Sequence, residues 1–417
     1  MNGLQYVLDM GSSVFMPIII TILGLILREK FSNAFRAGIT VGIGFIGINL
    51  VVGLMGKFVT PATKAMVERF GLNLNIIDVG WPVSSSIAFA TSIVPFVFLG
   101  CFIINIIMLT TNTTKTLNID IWNYWHFIIT GALVQYATNS MILGIIGSLL
   151  TFVIILKMAD YSAPKVQEYF GIPGVSLPHT ETVCWAPLFI GLDKIYDKIP
   201  GFNKIKLDDK FIRNRFGFIG EPIILGIILG GFIGILAGYD VAGIATLAVN
   251  MSAVMFILPR MVGILMEGLT PLSEAAKTYM NERFPGKEVY IGLDAAVGTG
   301  SPMVITLSLL MIPITILLAV ILPFNEVLPL VDIATIPFFV IWPVVASKGN
   351  LFRALISSIL MMVGILFIAT DLAPIVTNIA QSINFAFPEG AKMISSLDLG
   401  AHLVPYIIVK ILSIFVG

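Results

Sequence analysis

The chain has 417 residues, 57% of them hydrophobic and only 12% charged, and its 24 Lys and Arg balance 24 Asp and Glu. An average soluble domain is about 25% charged, so this chain cannot cover a water-facing surface of its own size. The balanced charge also offers no basic excess to draw a nucleic acid. What remains is an integral membrane protein with no soluble domain left over.

Apolar runs fall near 14–27, 37–56, 87–109, 127–156, 222–239, 241–259, 303–323, 333–346, 354–370 and 403–416. They approach or exceed the roughly 20 residues that cross a bilayer as helix. The first has polar residues ahead of it and no small-residue cleavage site after it, so it reads as a retained span and not a signal peptide. Cys101 and Cys184 give no metal-ligand spacing and no disulfide framework.

Between the runs the chain repeats itself. MGKFVTPATKAM (55–66) lines up with MEGLTPLSEAAK (266–277), IIDVGWPVSSS (76–86) falls opposite IGLDAAVGTGS (291–301), and LNIDIW (117–122) lies against PLVDIA (329–334). Weak internal symmetry of this kind marks transporter architectures. Basic loops stay in the cytoplasm, which puts REKFSNAFR (28–36), SKGNLFR (347–353) and the stretch 194–215, with seven Lys and Arg, inside. Their counterparts by alignment carry no such charge, so the halves are expected to be inverted.

The expectation is therefore an all-α membrane protein of about eleven transmembrane helices with inverted repeats and re-entrant hairpins, its carboxyl terminus cytoplasmic. Residues 1–36 form a leading helix and 37–165 the first repeat. Residues 166–240 hold a re-entrant hairpin, the basic cytoplasmic loop and a linking helix. The second repeat is 241–372, and 373–417 is a C-terminal segment with the final helix.

Polar groups in apolar context point to a site. Paired Gly/Pro-interrupted stretches in two halves are the best sequence pointer to a transporter's binding site, and an acid there is costly and usually functional. That singles out Asp294, and Asp78 with Gly80, Trp81, Ser84 and Ser85; the bland reading makes the two acids helix caps. VSLPHTETVCWAP (175–187) is too short and polar to span, and reads as a re-entrant hairpin with His179 and Glu181 near its tip, or else as a surface loop. His126 opens a crossing as a ligand or an interfacial aromatic; Gln135 is a candidate ligand or a hairpin turn; Glu221 caps a helix or faces a cytosolic mouth. His402 reads as interfacial. Carboxylates, imidazoles, hydroxyls and indole faces together suit a polyhydroxylated ligand. No Walker loop, zinc motif or nucleophile signature occurs, and no cofactor or metal is expected.

NIIDVGWP, NIDIWNYWH, SLPHTE, FIGEP and VYIGLDAA, in this order and with LAGYDV and KGNLFR, resemble the galactitol-type IIC permeases of the bacterial phosphoenolpyruvate-dependent phosphotransferase system. The likeness runs over essentially the whole chain. It implies a homodimer in the bacterial inner membrane and an elevator-like movement of a substrate-carrying core. It also implies a separate IIA protein and a IIB protein whose phosphocysteine passes phosphate to the polyol, so the chain has no phosphoacceptor nucleophile of its own. SLPHT carries His179 to the substrate, GLD carries Asp294, DVGWP carries Asp78, Gly80 and Trp81, and WNYWH carries His126. The galactitol relatives read DVGWPGSS and PHGTSAYMGP at two of these places, so Val83 and Glu181 leave the polyol open. The rival class is an ion-coupled secondary transporter or channel with the same inverted-repeat plan.

Overall fold

In the computed structural model, the described residues are 12–71, 74–120, 122–205, 207, 222–283, 288–329, 331–383, 385, 392–414. Helices α1 (Ser12–Ile26) and α2 (Phe31–Arg69) lead to β1 (Ile76–Asp78), α3 (Gly80–Phe89), α4 (Val94–Thr110) and β2 (Thr116–Asn118). Then come α5 (Trp125–Thr138), α6 (Met141–Phe170), β3 (Val175–Ser176), α7 (Thr180–Val183) and α8 (Ala186–Tyr196). The second half holds α9 (Pro222–Leu236), α10 (Val241–Arg283), β4 (Tyr290–Gly292), α11 (Ala296–Thr299), α12 (Pro302–Ile321) and β5 (Val327–Leu328). It closes with α13 (Ile336–Phe339), α14 (Ile341–Ala346), α15 (Leu351–Ser382), β6 (Met393–Ser395), α16 (Leu397–Ala401) and α17 (Leu403–Ile414).

Among the described residues, α6, α12 and α15 are long and apolar enough to cross a membrane, and α3 with α4 adds a fourth if that pair is one span. The run at 87–109 is not one straight crossing, because α3 and α4 meet at 96°. Pro95 sits in the first turn of α4, where its missing N–H costs nothing, whereas in the interior of one continuous helix it would lose a hydrogen bond and clash with the carbonyl four residues back. The runs at 37–56 and 241–259 are parts of helices of 39 and 43 residues. At 1.5 Å per residue these are about 58 and 65 Å long, about twice the hydrocarbon thickness.

Helix contacts are of the membrane kind, where small residues let backbones approach. Gly226, Gly230 and Gly234 recur every four residues along one face of α9, and a Cβ there would stand 2.5 Å from Ser252 Cα, 2.9 Å from Ala248 Cα and 3.1 Å from Ile244 Cα of α10. The outer face of α4 is apolar, with Phe96, Leu99, Phe102 and Ile107 all exposed.

The all-helical expectation misses six short strands. They form two three-stranded parallel sheets, ordered β5-β1-β6 and β2-β4-β3. In the first, Ile76 and Ile77 pair with Val327 and Leu328 on one side, and Ile76 to Asp78 with Met393 to Ser395 on the other. In the second, Thr116 to Asn118 pair with Tyr290 to Gly292, and Val175 and Ser176 with Ile291 and Gly292. Each central strand comes from one half of the sequence and both its neighbours from the other. Unwound backbone within a membrane has no water to satisfy it, so the interrupted segments satisfy one another.

Candidate functional site

Five strand ends run into an aspartate flanked by aliphatic residues: IIDV (Asp78), NIDI (Asp120), GLDA (Asp294), LVDI (Asp332) and SLDL (Asp398). The sixth, after β3, runs into His179 instead. His179 stands three residues beyond the end of β3, as Asp398 stands three beyond the end of β6.

Around the first sheet two of the three acids, Asp78 and Asp332, meet backbone. Asp78 Oδ2 accepts from the N–H groups of Val331 and Asp332, both at 2.9 Å, and Oδ1 accepts from Gly80 N at 3.1 Å and Leu397 N at 3.3 Å. Asp332 accepts from Trp81 N at 2.8 Å and Asp398 N at 3.0 Å. These donors open helices or 3-10 turns, whose first N–H groups have no partner within the helix. A carboxylate there satisfies them and meets the positive end of the helix dipole. Gly80 has φ +79°, and a Cβ on it would lie 2.4 Å from Val331 Cγ1. Both facts require glycine. Ser84 Oγ is shared between Gly80 O and Ser396 Oγ, and Ser85 Oγ donates to Pro82 O. The side chain of Trp81 is half-buried against the core.

Around the second sheet the acids meet side chains. Asn123 Nδ2 donates to both oxygens of Asp120, at 2.8 and 2.9 Å, and to Asp294 Oδ2 at 2.9 Å. Asp294 Oδ1 accepts from Ala296 N at 2.8 Å. The His179 ring enters this pair of acids: Nδ1 lies 3.4 Å from Asp120 Oδ2 and 3.5 Å from Asp294 Oδ1, while Nε2 lies 3.2 Å from Glu181 Oε1. Asp120, His179 and Glu181 have side chains at most 5% exposed, whereas Asp294 keeps 13%. The surface-loop reading of 175–187 does not hold, since Thr180, Glu181, Thr182 and Val183 are all buried.

Glu181 also reaches the Asp398 carboxyl, which joins the two sheets through their acids. The interfacial reading of His402 does not hold either: it is fully buried, 3.1 Å from Asp398 Oδ1 through Nε2. His126 stands between the other two imidazoles, its ring centroid 4.8 Å from each, so all three histidines of the chain are in one file. Gln135 is apart from them, nine residues along α5 from His126 and hence about 14 Å away along the axis. There the helix ends in left-handed Asn139, at φ 51°. Glu221 lies outside the described residues.

Asp120, Asn123, Asp332 and Asp398 are the residues that sequence reasoning left out of the site. The recurrent aliphatic-Asp-aliphatic pattern was the signal that could have found the acids. Asn123 had no comparable mark.

Residues 6–390 match the family of phosphotransferase-system sugar-specific permease components. A permease IIC component of Escherichia coli (strain K12) is 43% identical over 396 residues, covering 95% of this chain and 91% of that one. The galactitol-specific EIIC component of the phosphotransferase system in Escherichia coli (strain K12) is 41% identical over 410 residues, covering 98% and 90%. The same identity and coverage hold for its counterpart in Escherichia coli O157:H7.

Proposed function

From the premise that this chain belongs to the sugar-specific permease components of phosphotransferase systems, we propose that it carries galactitol or a related polyol across the bacterial inner membrane and presents it to a phosphorylated IIB protein. The observation that carries the site is Asp294, the one acid of its cluster that keeps an exposed edge while Asn123 and His179 fix it from the sides. A polyol leaving water must have its hydroxyls re-bonded, at roughly 1–3 kcal/mol for each one left unmatched. Asp294, Asn123 and Asp120 offer acceptors and donors in one place, with His179 holding the two acids together. Glu181 steadies His179 from the other side.

With the neighbouring carboxyls ionised, His179 donates from both ring nitrogens. It then acts as a cationic tie, and the proton acceptor for phosphoryl transfer is Asp294. The substrate hydroxyl gives its proton to the Asp294 carboxylate as its oxygen bonds to phosphorus. The S–P bond of the IIB phosphocysteine breaks, and the leaving thiolate takes up the proton. The product carries about 1.5 to 2 negative charges, which the surrounding carboxylates repel towards the cytosol. Transport becomes directional without an ion gradient.

The wider reading is an inverted-repeat protein of eleven crossings, a homodimer with its carboxyl terminus in the cytoplasm, whose core moves in an elevator-like way. The exchange of strands between the two halves supports the repeat, because each half supplies one centre strand and two edge strands. Docking of IIB on the basic loop 194–215 belongs to the same reading; residues 206 and 208–215 of that loop lie outside the described residues. The test is uptake of labelled galactitol into vesicles with and without phosphorylated IIB. Accumulation as the phosphate, unaffected by collapsing proton and sodium gradients, is expected. Accumulation of free polyol that follows an ion gradient would establish the rival secondary transporter.

A further inference from the structure

Behind the Asp294 cluster lies a second group that the proposed transport reaction does not use. Asp398 and His402 stand four residues apart, on and at the end of α16, so their side chains share one face. His126 opens α5 and points at them. One ligand atom from each of the three lies within 4.8 Å of the others, and all three residues are buried.

Their hydrogen bonding is incomplete. His402 Nε2 and Asp398 Oδ1 face each other as an ion pair at 3.1 Å, outside hydrogen-bond geometry, while His402 Nδ1 and His126 Nδ1 have no hydrogen-bond partner. A polar atom left buried and unbonded is costly, and two such nitrogens beside a buried ion pair call for a common partner.

We propose that His126, Asp398 and His402 hold one first-row divalent transition-metal cation, of which zinc is the type. Imidazole and carboxylate are its usual ligands. Ligand atoms 3.1 Å apart subtend roughly 100° at an ion about 2.0–2.1 Å from each, which suits a tetrahedral or distorted site. His126 closes the third position by a small side-chain adjustment, and the adjacent Glu181 carboxyl supplies the fourth or bonds the ligands. Charge closes too: two neutral imidazoles, two carboxylates and a divalent cation sum to zero, which a low-dielectric interior favours over an unpaired ion.

The surroundings hold the ligands in place, as outer partners of metal sites do. Asp398 N donates to Asp332 Oδ2, Leu399 N to the capping Ser396 Oγ at 3.1 Å, and Trp185 Nε1 to Ala401 O at 2.7 Å. A Cβ on Gly400 would stand 2.3 Å from Ile365 O, so α16 lies hard against α15. The cation would pin α16, from the end of the first sheet's β6, to α5, which follows the second sheet's β2. It would act as a clamp between the two sheets.

The test uses the full chain purified through a tag free of histidine, stripped with a chelator and titrated with cobalt(II) as a visible probe. About one cobalt per chain is expected, with the strong ligand-field absorption of a low-symmetry site and displacement by zinc. His402→Ala and Asp398→Asn should weaken binding by more than the roughly 10- to 100-fold that loss of an outer partner costs. His402→Cys should keep the metal and add a thiolate-to-cobalt charge-transfer band, a signature that a merely structural histidine would not produce. Absence of stoichiometric binding by the wild-type chain overturns the proposal. So does binding that persists unchanged in His402→Ala, or a bound His402→Cys variant without the new band.

Discussion

The two parallel sheets have the same plan, yet their acids do opposite things. At the first, Asp78 and Asp332 take six backbone N–H groups between them. At the second, Asp120 and Asp294 are held mainly by the side chains of Asn123 and His179. Backbone donors cannot leave without unwinding a helix start, so Asp78 and Asp332 are pins. Side-chain donors can rotate and be exchanged for a ligand's hydroxyls at little cost to the fold. The same residue type at the same kind of strand end is thus held by backbone or by side chains according to what faces it.

The sharpest way to break this comparison is to remove a pin. Asp78→Ala strips four N–H groups, three of them buried, of their acceptor, at about 1–3 kcal/mol for each buried one. That is comparable to the whole stability of roughly 5–15 kcal/mol typical of a domain. We expect loss of the folded, monodisperse protein on size-exclusion chromatography after extraction. A well-folded Asp78→Ala with weakened polyol binding would reverse the assignment of the two sheets.

Gly80→Ala probes the same sheet more gently. Its Cβ would collide with Val331, at 2.4 Å, in a backbone conformation that costs an ordinary residue about 1–3 kcal/mol. A lowered unfolding temperature with unchanged polyol affinity in the surviving folded protein is the expected result.

Asp294→Asn should do the reverse, leaving the unfolding temperature nearly unchanged. Hydrogen bonds to a charged group contribute roughly 1.5–3 kcal/mol, so losing the charge should weaken galactitol binding about tenfold or more. His179→Ala should act in the same direction to a similar or smaller extent. Calorimetric titration of the purified protein without IIB measures both. Wild-type affinity in the two variants would place the sugar elsewhere.

The smallest effect belongs to the rim of the second sheet, where Lys115, just before β2, meets Glu288, just before β4, at 2.7 Å. The hydrogen bond from Lys115 holds the Glu288 carboxyl below its ordinary range. Folded-state depression of this kind adds stability above the usual carboxylate pKa and loses it as pH falls through the folded value. Both side chains are more than half exposed, so the pair is screened and contributes about 1 kcal/mol at most. Lys115→Met should leave the unfolding temperature within a degree or two at neutral pH, roughly the scale of such a change.

Much of this was legible in the chain itself. Low charge and long apolar runs determine a membrane protein because too few polar groups exist to cover it. The motifs from NIIDVGWP to VYIGLDAA carry the family, and a buried acid among aliphatic residues is costly enough to mark Asp78 and Asp294. Only the tertiary structure decided between the two. Matched by their strands, Asp294 stands two residues past the end of β4, whereas Asp78 is the last residue of β1, so the aligned acids occupy different places. The partners that separate them come from distant parts of the chain: Val331, Asp332 and Leu397 for Asp78, Asn123 and His179 for Asp294. No local pattern encodes those pairings, because they depend on strands exchanged between the two halves. His402 divides the same way: Asp398, four residues before it, is a local i,i+4 partner, whereas His126 and Trp125 meet it only in space.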